Sequence, residues 1–191
     1  MPETRRLVEA VNALSRSLRE HGIVHAFYGG AMVSLLANAS QADEVYCIVQ
    51  GGNTHPFRRV RQALENNNED IMMTPSPWSN RLHAKYHRSI PPIEIEILVA
   101  GETGPRRIDA MNVTYLHGVP WLSITEFVRA KLKAWTVRGS ERDARDIVFV
   151  LNRYWNTLDI NRIPENDMER FVEVVTVAEP AWTALKRRYS M

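Results

Sequence analysis

Between residues 3 and 21 the apolar positions Leu7, Val8, Val11, Leu14 and Leu18 recur at intervals of three and four, which gathers them on one face of a helix, and Gly22 follows as a stop. Ile23 to Tyr28 reads as a short strand, Gly30 to Ala37 as a helix opening directly at a Gly-Gly turn, and Val45 to Val49 as the next strand. Gly51-Gly52-Asn53 is a turn. Pro56 to Glu65 then predicts a helix with Phe57, Val60 and Leu64 inward, ended by Asn66-Asn67-Asn68. From Ile71 to Arg88 apolar, aromatic and basic residues mix, and Pro75 and Pro77 interrupt them; this predicts a strand, a loop over the site and a further strand around Leu82 to Tyr86. Ile93 to Val99 is the plainest strand, with three isoleucines on one face and Glu94 and Glu96 on the other. Gly101 to Arg107 is turn-rich, and Val113 to Leu116 and Gly118-Val119-Pro120-Trp121-Leu122 lead into helices. Ser123 or Thr125 caps a helix from Glu126 to about Val137, Ser140 precedes another through Tyr154, and Pro164 and Pro180 punctuate a helical tail. No repeat or low-complexity segment is visible.

This order predicts an α+β chain: a mixed β-sheet flanked by helices over residues 1–118, then a small helical region over 119–191 packing on the cleft. With 191 residues and 45% hydrophobic content the chain can bury a core of its own. Its 24 basic and 22 acidic residues are interspersed and net to +2, so no whole-molecule field favours nucleic acid as a partner. The single cysteine, Cys47, falls where the strand pattern buries a residue; it excludes an intrachain disulfide and reads as a small core hydrophobe in a reducing compartment. The first residues lack the apolar run of a signal peptide, and no stretch reaches the roughly 18 apolar residues of a membrane span, so the expectation is a soluble cytoplasmic protein. Nothing in the sequence sets an oligomeric state.

The chemistry concentrates around Tyr28-Gly29-Gly30-Ala31 and Glu44-Val45-Tyr46-Cys47-Ile48-Val49. Small residues in a turn let the backbone approach phosphates, and the N–H groups at the start of the following helix suit an anion. Glu44 and Tyr46, two apart on a strand, face the same way, and Glu96 on the Ile93 to Val99 strand offers a carboxylate from a neighbour. This layout resembles the nucleotidyltransferase-fold superfamily, in particular its minimal, AbiEii-like branch, over most of the chain. The strand that in the family reads Thr-x-Asp-hydrophobic-Asp here reads Ala42-Asp43-Glu44-Val45-Tyr46, and hydrophobic-Asp-hydrophobic-Leu here reads Ile95-Glu96-Ile97-Leu98. Lys131-Leu132-Lys133-Ala134, Arg138 and Arg142-Asp143-Ala144-Arg145-Asp146 look like the family's Lys, Arg and Lys-Asp-x-x-Asp helix signature.

The resemblance implies a two-metal nucleotidyl transfer in which paired strand carboxylates hold divalent ions about 4 Å apart. Tyr46 stands where the second carboxylate belongs, and a phenol with an ordinary pKa of about 10 is neutral and a poor magnesium ligand. Sliding the alignment to Asp43 does not help, because its partner would be Val45 on a core face. The site set read from the sequence is therefore Glu44, Tyr46 and Glu96 as catalytic groups and Gly29, Gly30, Trp78, His83, Lys133 and Arg138 as ligand-binding groups, with no metal and no cofactor. The expected partner is a small molecule in a repurposed cleft. Two other classes stay open: a magnesium-dependent enzyme using NTP through Glu44 and Glu96, and a non-catalytic, antitoxin-like binding module. Plainer roles stand beside these: Glu44 and Glu96 as solvated strand residues, Lys131, Lys133, Arg138 and Arg142 as the polar face of a helix, and Asp143 and Asp146 as salt-bridge partners of Arg142, Arg138 or Lys133. His83 and His87 on the inferred strand share a face but lack a third metal ligand. Of Met72, Met73, Trp78, Tyr86 and Trp135, Trp78 sits between Pro77 and Ser79 in a turn, where a core role is least automatic.

Overall fold

The structure, a computed structural model, describes residues 2–39, 42–65 and 69–191. The Asn66-Asn67-Asn68 stop lies outside them. By its internal contacts the chain divides into two compact units, Met1–Leu122 and Ser123–Met191.

Helix α1 (Pro2–Glu20) buries Leu7, Ala10, Val11, Leu14 and Leu18 along one face, as the spacing requires. Strand β1 (His25–Tyr28) runs into Gly29 and helix α2 (Gly30–Ala37), which closes on Asn38 in the left-handed conformation. Then come β2 (Glu44–Val49), α3 (Phe57–Glu65), β3 (Ile71–Thr74), β4 (Arg81–Tyr86), β5 (Ile93–Val99), β6 (Val113–Leu116) and β7 (Val119–Leu122). Among the described residues the strands form one mixed α+β sheet in the order β3-β4-β5-β2-β1-β7-β6. β2 and β5 are parallel, as are β1 and β7, and the other neighbours are antiparallel. The segment Val119–Leu122 therefore belongs to the sheet.

Alternation gives the sheet two different faces. Phe27, Val45, Cys47, Val49, Ile93, Ile95, Ile97, Leu82 and Ala84 fill one, and α1, α2 and α3 pack in this unit as its helices. On the front face Ala26, Ile48, Leu98 and Leu122 form an apolar cluster at one end, flanked by Tyr28, Tyr46 and Val113. Beyond that cluster the front residues of β2, β4 and β5 are polar. Both β2 and β5 bury one face; β5 alternates it with two charged residues, Glu94 and Glu96, whereas β2 has Glu44 and then the aromatic Tyr46, which is why β5 reads more clearly in sequence.

The second unit is helical. α4 (Ile124–Arg138) is capped by Ser123, whose hydroxyl accepts from the Glu126 N–H, and ends on Gly139 in the left-handed conformation. α5 (Glu141–Tyr154) is capped in the same way by Ser140, and α6 (Glu165–Val174) and α7 (Glu179–Arg188) follow. Asp143, almost fully buried, joins α5 to α4 through Lys131 at 3.3 Å and Arg138 at 2.9 Å, and Lys131 also reaches Asp146 at 3.0 Å. Of the basic partners expected from sequence for Asp143, Arg138 is the one used; Lys131 takes the place expected for Lys133 or Arg142, because it is the α4 lysine turned toward α5. No helix among the described residues is long and apolar enough to cross a membrane.

Candidate functional site

The pairing registers align five front-face side chains across five strands. Tyr28 lies opposite Tyr46, Tyr46 opposite Glu96, Glu96 opposite His83 and His83 opposite Thr74. A second row runs Glu44, Glu94, Lys85, Met72. Glu44, Tyr46, Glu94 and Glu96 thus share one face, and directly opposed carboxylates such as Glu44 and Glu94 repel unless cations sit near. β4 supplies those cations. Lys85 pairs with Glu94 at 3.1 Å, Arg81 makes an ion pair with Glu96, and His83 Nε2 lies 3.6 Å from the same Glu96 oxygen. The two carboxylates differ in setting: the Glu96 side chain is 18% exposed and Glu94 52%, so the Glu96 cluster is the one withdrawn from water. Arg81 is also positioned over the ring of Trp78, 5.8 Å from its centroid.

Gly29 touches Tyr46. Its φ of +92° and ψ of −164° lie in a region that is essentially glycine's alone, and a Cβ there would stand 3.2 Å from Tyr46 Cδ2. Tyr28 packs against the same ring in a tilted arrangement, with centroids 5.6 Å apart. Partial burial, then the Glu44 charge and a hydrogen bond donated to Glu44, then Glu96, push the Tyr46 phenol up to about 12 against the opposing influence of Arg81. Tyr28 is raised further, chiefly by burial. Both phenols therefore keep their protons at neutral pH and act as donors.

Of the residues singled out from sequence, Gly29, Glu44, Tyr46, Glu96 and His83 come together on the front face, with Gly30 opening α2 beside them. Trp78, 58% exposed in the β3–β4 turn, connects to them through Arg81. It borders a depression of about 620 Å³ whose walls include Arg61, Thr74, Ser76 and Arg81. Lys133 and Arg138 lie on α4 in the helical unit, Lys133 exposed and Arg138 paired with Asp143. Arg81 and Lys85 are not among the site residues read from sequence; a basic-x-basic-x-basic run at Arg81-Leu82-His83-Ala84-Lys85 beside a Glu-x-Glu strand was the available signal, and Tyr28, read there only as part of the turn motif, joins the site through Tyr46. A separate depression of about 450 Å³, bordered by Arg19, His25, Ile108 and Tyr115, shares none of these residues.

A mixed sheet bearing acidic front-face residues from two parallel neighbours beside a Gly-Gly helix start matches solved structures along nearly the whole chain. An antigenic nucleotidyltransferase-like protein from Paracoccidioides brasiliensis superposes with a TM-score of 0.69 at 19% identity, over 95% of this chain and 93% of the other. The chain has the nucleotidyltransferase fold. A putative nucleotidyltransferase from H. pylori matches at TM-score 0.56 and 14% identity, over 94% and 82% of the two chains. The antibiotic-resistance factor ANT(2'')-Ia matches at 0.55 and 8%, over 96% of each. No protein-family model and no curated protein matches the sequence. At these identities the nucleotidyltransferase fold is what is shared, and chemistry has to be argued from the residues.

Proposed function

We propose that this nucleotidyltransferase-fold protein carries a degenerate metal site, and that its front face has been repurposed for a non-nucleotide small molecule handled by metal-independent acid/base chemistry. The observation that carries the reading is Tyr46, a protonated phenol at the second carboxylate position with its ring seated on Gly29, where the phosphates of a nucleotide would approach. The remaining donors do not fit the two ions that the fold implies. Glu44 accepts the phenol's hydrogen bond, Glu96 is engaged by Arg81, and among the described residues no three His, Cys, Asp or Glu side chains gather as a metal site.

The same residues suit a polar organic ligand. Tyr46 offers an aromatic surface and a hydroxyl, Glu44 a carboxylate with no cation within ion-pair distance among the described residues, and His83 an imidazole beside Glu96 that can relay a proton.

Calorimetric titration of the full chain with ATP and Mg²⁺ is expected to give no metal-dependent binding. Ligand-observed NMR against a library of polar metabolites is expected to give binders that Tyr46→Phe weakens by about 1 kcal/mol or more through loss of one buried hydrogen bond. Tight, magnesium-dependent nucleotide binding abolished by Glu44→Ala and by Glu96→Ala would overturn the proposal in favour of an active nucleotidyltransferase.

A further inference from the structure

Resting on that reading, we infer that Arg81 determines the site's metal specificity: its guanidinium is a tethered cation that neutralises Glu96 and excludes a divalent ion, so restoring a carboxylate at position 46 does not by itself rebuild a metal site.

Three observations support this. First, the register places Arg81 on the front face of β4, diagonal to Glu96 across the β4–β5 pair, where its side chain reaches the carboxylate that a metal would need. Second, Arg81 is held there. Its side chain is 31% exposed, it ion-pairs on one side with Glu96, and it lies over Trp78 on the other. Third, a guanidinium is a planar fork of donors that matches a carboxylate and is more weakly hydrated than an ammonium, which suits it to a partly buried ion pair. A dication approaching Glu96 would meet a fixed positive charge at contact distance and would have to displace a charge-assisted hydrogen bond first. Lys85 compensates Glu94 in the next row. Cations of β4 thus take on this sheet the electrostatic place that a bound metal would have, and the substitution at Tyr46 and the placement of Arg81 act together.

The test measures Mn²⁺ binding by electron paramagnetic resonance on the full chain, for the native protein, Tyr46→Asp, Arg81→Gln and the double variant, with folding checked by circular dichroism. Only the double variant is expected to gain a site, binding about tenfold or more tighter than either single variant. Tyr46→Asp/Arg81→Lys, which keeps a cation, is expected to stay as weak as Tyr46→Asp. Tyr46→Asp alone binding as tightly as the double variant would overturn the inference, as would a folded double variant that gains nothing. Should Arg81→Gln fail to fold with Tyr46→Asp, Arg81→Met takes its place under the same criteria. Tight Mn²⁺ binding by the native chain would instead sink the degenerate-site proposal, so the two failures are distinguishable.

Discussion

Replacing Gly29 with alanine tests whether this turn is built around the Tyr46 ring. The backbone at φ +92°, ψ −164° lies where any residue with a Cβ is strained, at a cost of about 1–3 kcal/mol. The new methyl would also stand 3.2 Å from Tyr46 Cδ2, so the ring, which is in contact with Tyr28, has to give by a few tenths of an ångström. Overpacking of this kind adds about 1 kcal/mol at the low end of its range. Gly29→Ala should therefore destabilise by about 2–4 kcal/mol. The contact part is separable. In a Tyr46→Ala background the backbone strain remains and the clash disappears, so the same substitution should cost about 1 kcal/mol less, a coupling within the range of touching residues. Urea unfolding of the four proteins gives the cycle, and amide exchange in β1 and β2 reads the sheet unit without the helical one. A Gly29→Ala cost below about 0.5 kcal/mol would refute the strain argument, and a cost identical in both backgrounds would refute the ring contact.

Two further outcomes are expected. Because the fold raises the Tyr46 phenol from its ordinary 10 to about 12, it favours the protonated form; that contribution is complete below pH 10 and disappears as pH rises toward 12, so alkaline unfolding should be shallower in Tyr46→Phe. Tyr46→Phe curves that overlay the native ones across this window would contradict it. In the helical unit, Asp143→Ala should cost about 2–3 kcal/mol by removing a nearly fully buried carboxylate that accepts from both Arg138 and Lys131, and Asp146→Ala distinctly less, since it removes one ion pair; Lys131 keeps the other aspartate in either case. Thermal denaturation compares the two, and equal losses would show that Asp143 is not the centre of the cluster.

The sequence carried the elements better than their neighbours. Ile93–Val99, Gly30–Ala37 and Val113–Leu116 could be bounded because alternation, a Gly-Gly start and a flanking His-Gly turn are local signals. Cys47 and the shared face of Glu44 and Tyr46 followed from alternation alone. Val119–Leu122 did not read as a strand: it is four residues long, buried throughout, and carries Pro120, which lacks a ladder N–H, in a strand paired on both sides. Arg81 as the partner of Glu96 was hidden for a different reason. Which side chain of β4 meets which of β5 is fixed by register, and sequence periodicity gives the face but not the offset. The site was thus legible as a set of acids and glycines and illegible as a charge balance.

The order of the strands also bears on how the molecule behaves in a crowded solution. Its two outermost strands, β3 and β6, are four residues each, and β3 runs directly into Pro75. A stray extended chain seeking to add to either rim finds a ladder too short to hold it and, past β3, a position that cannot donate. The long strands β2, β4 and β5, the first and last of them rich in isoleucine and valine, are enclosed between neighbours. The segments most able to seed intermolecular aggregation are therefore sequestered for as long as the sheet stays intact.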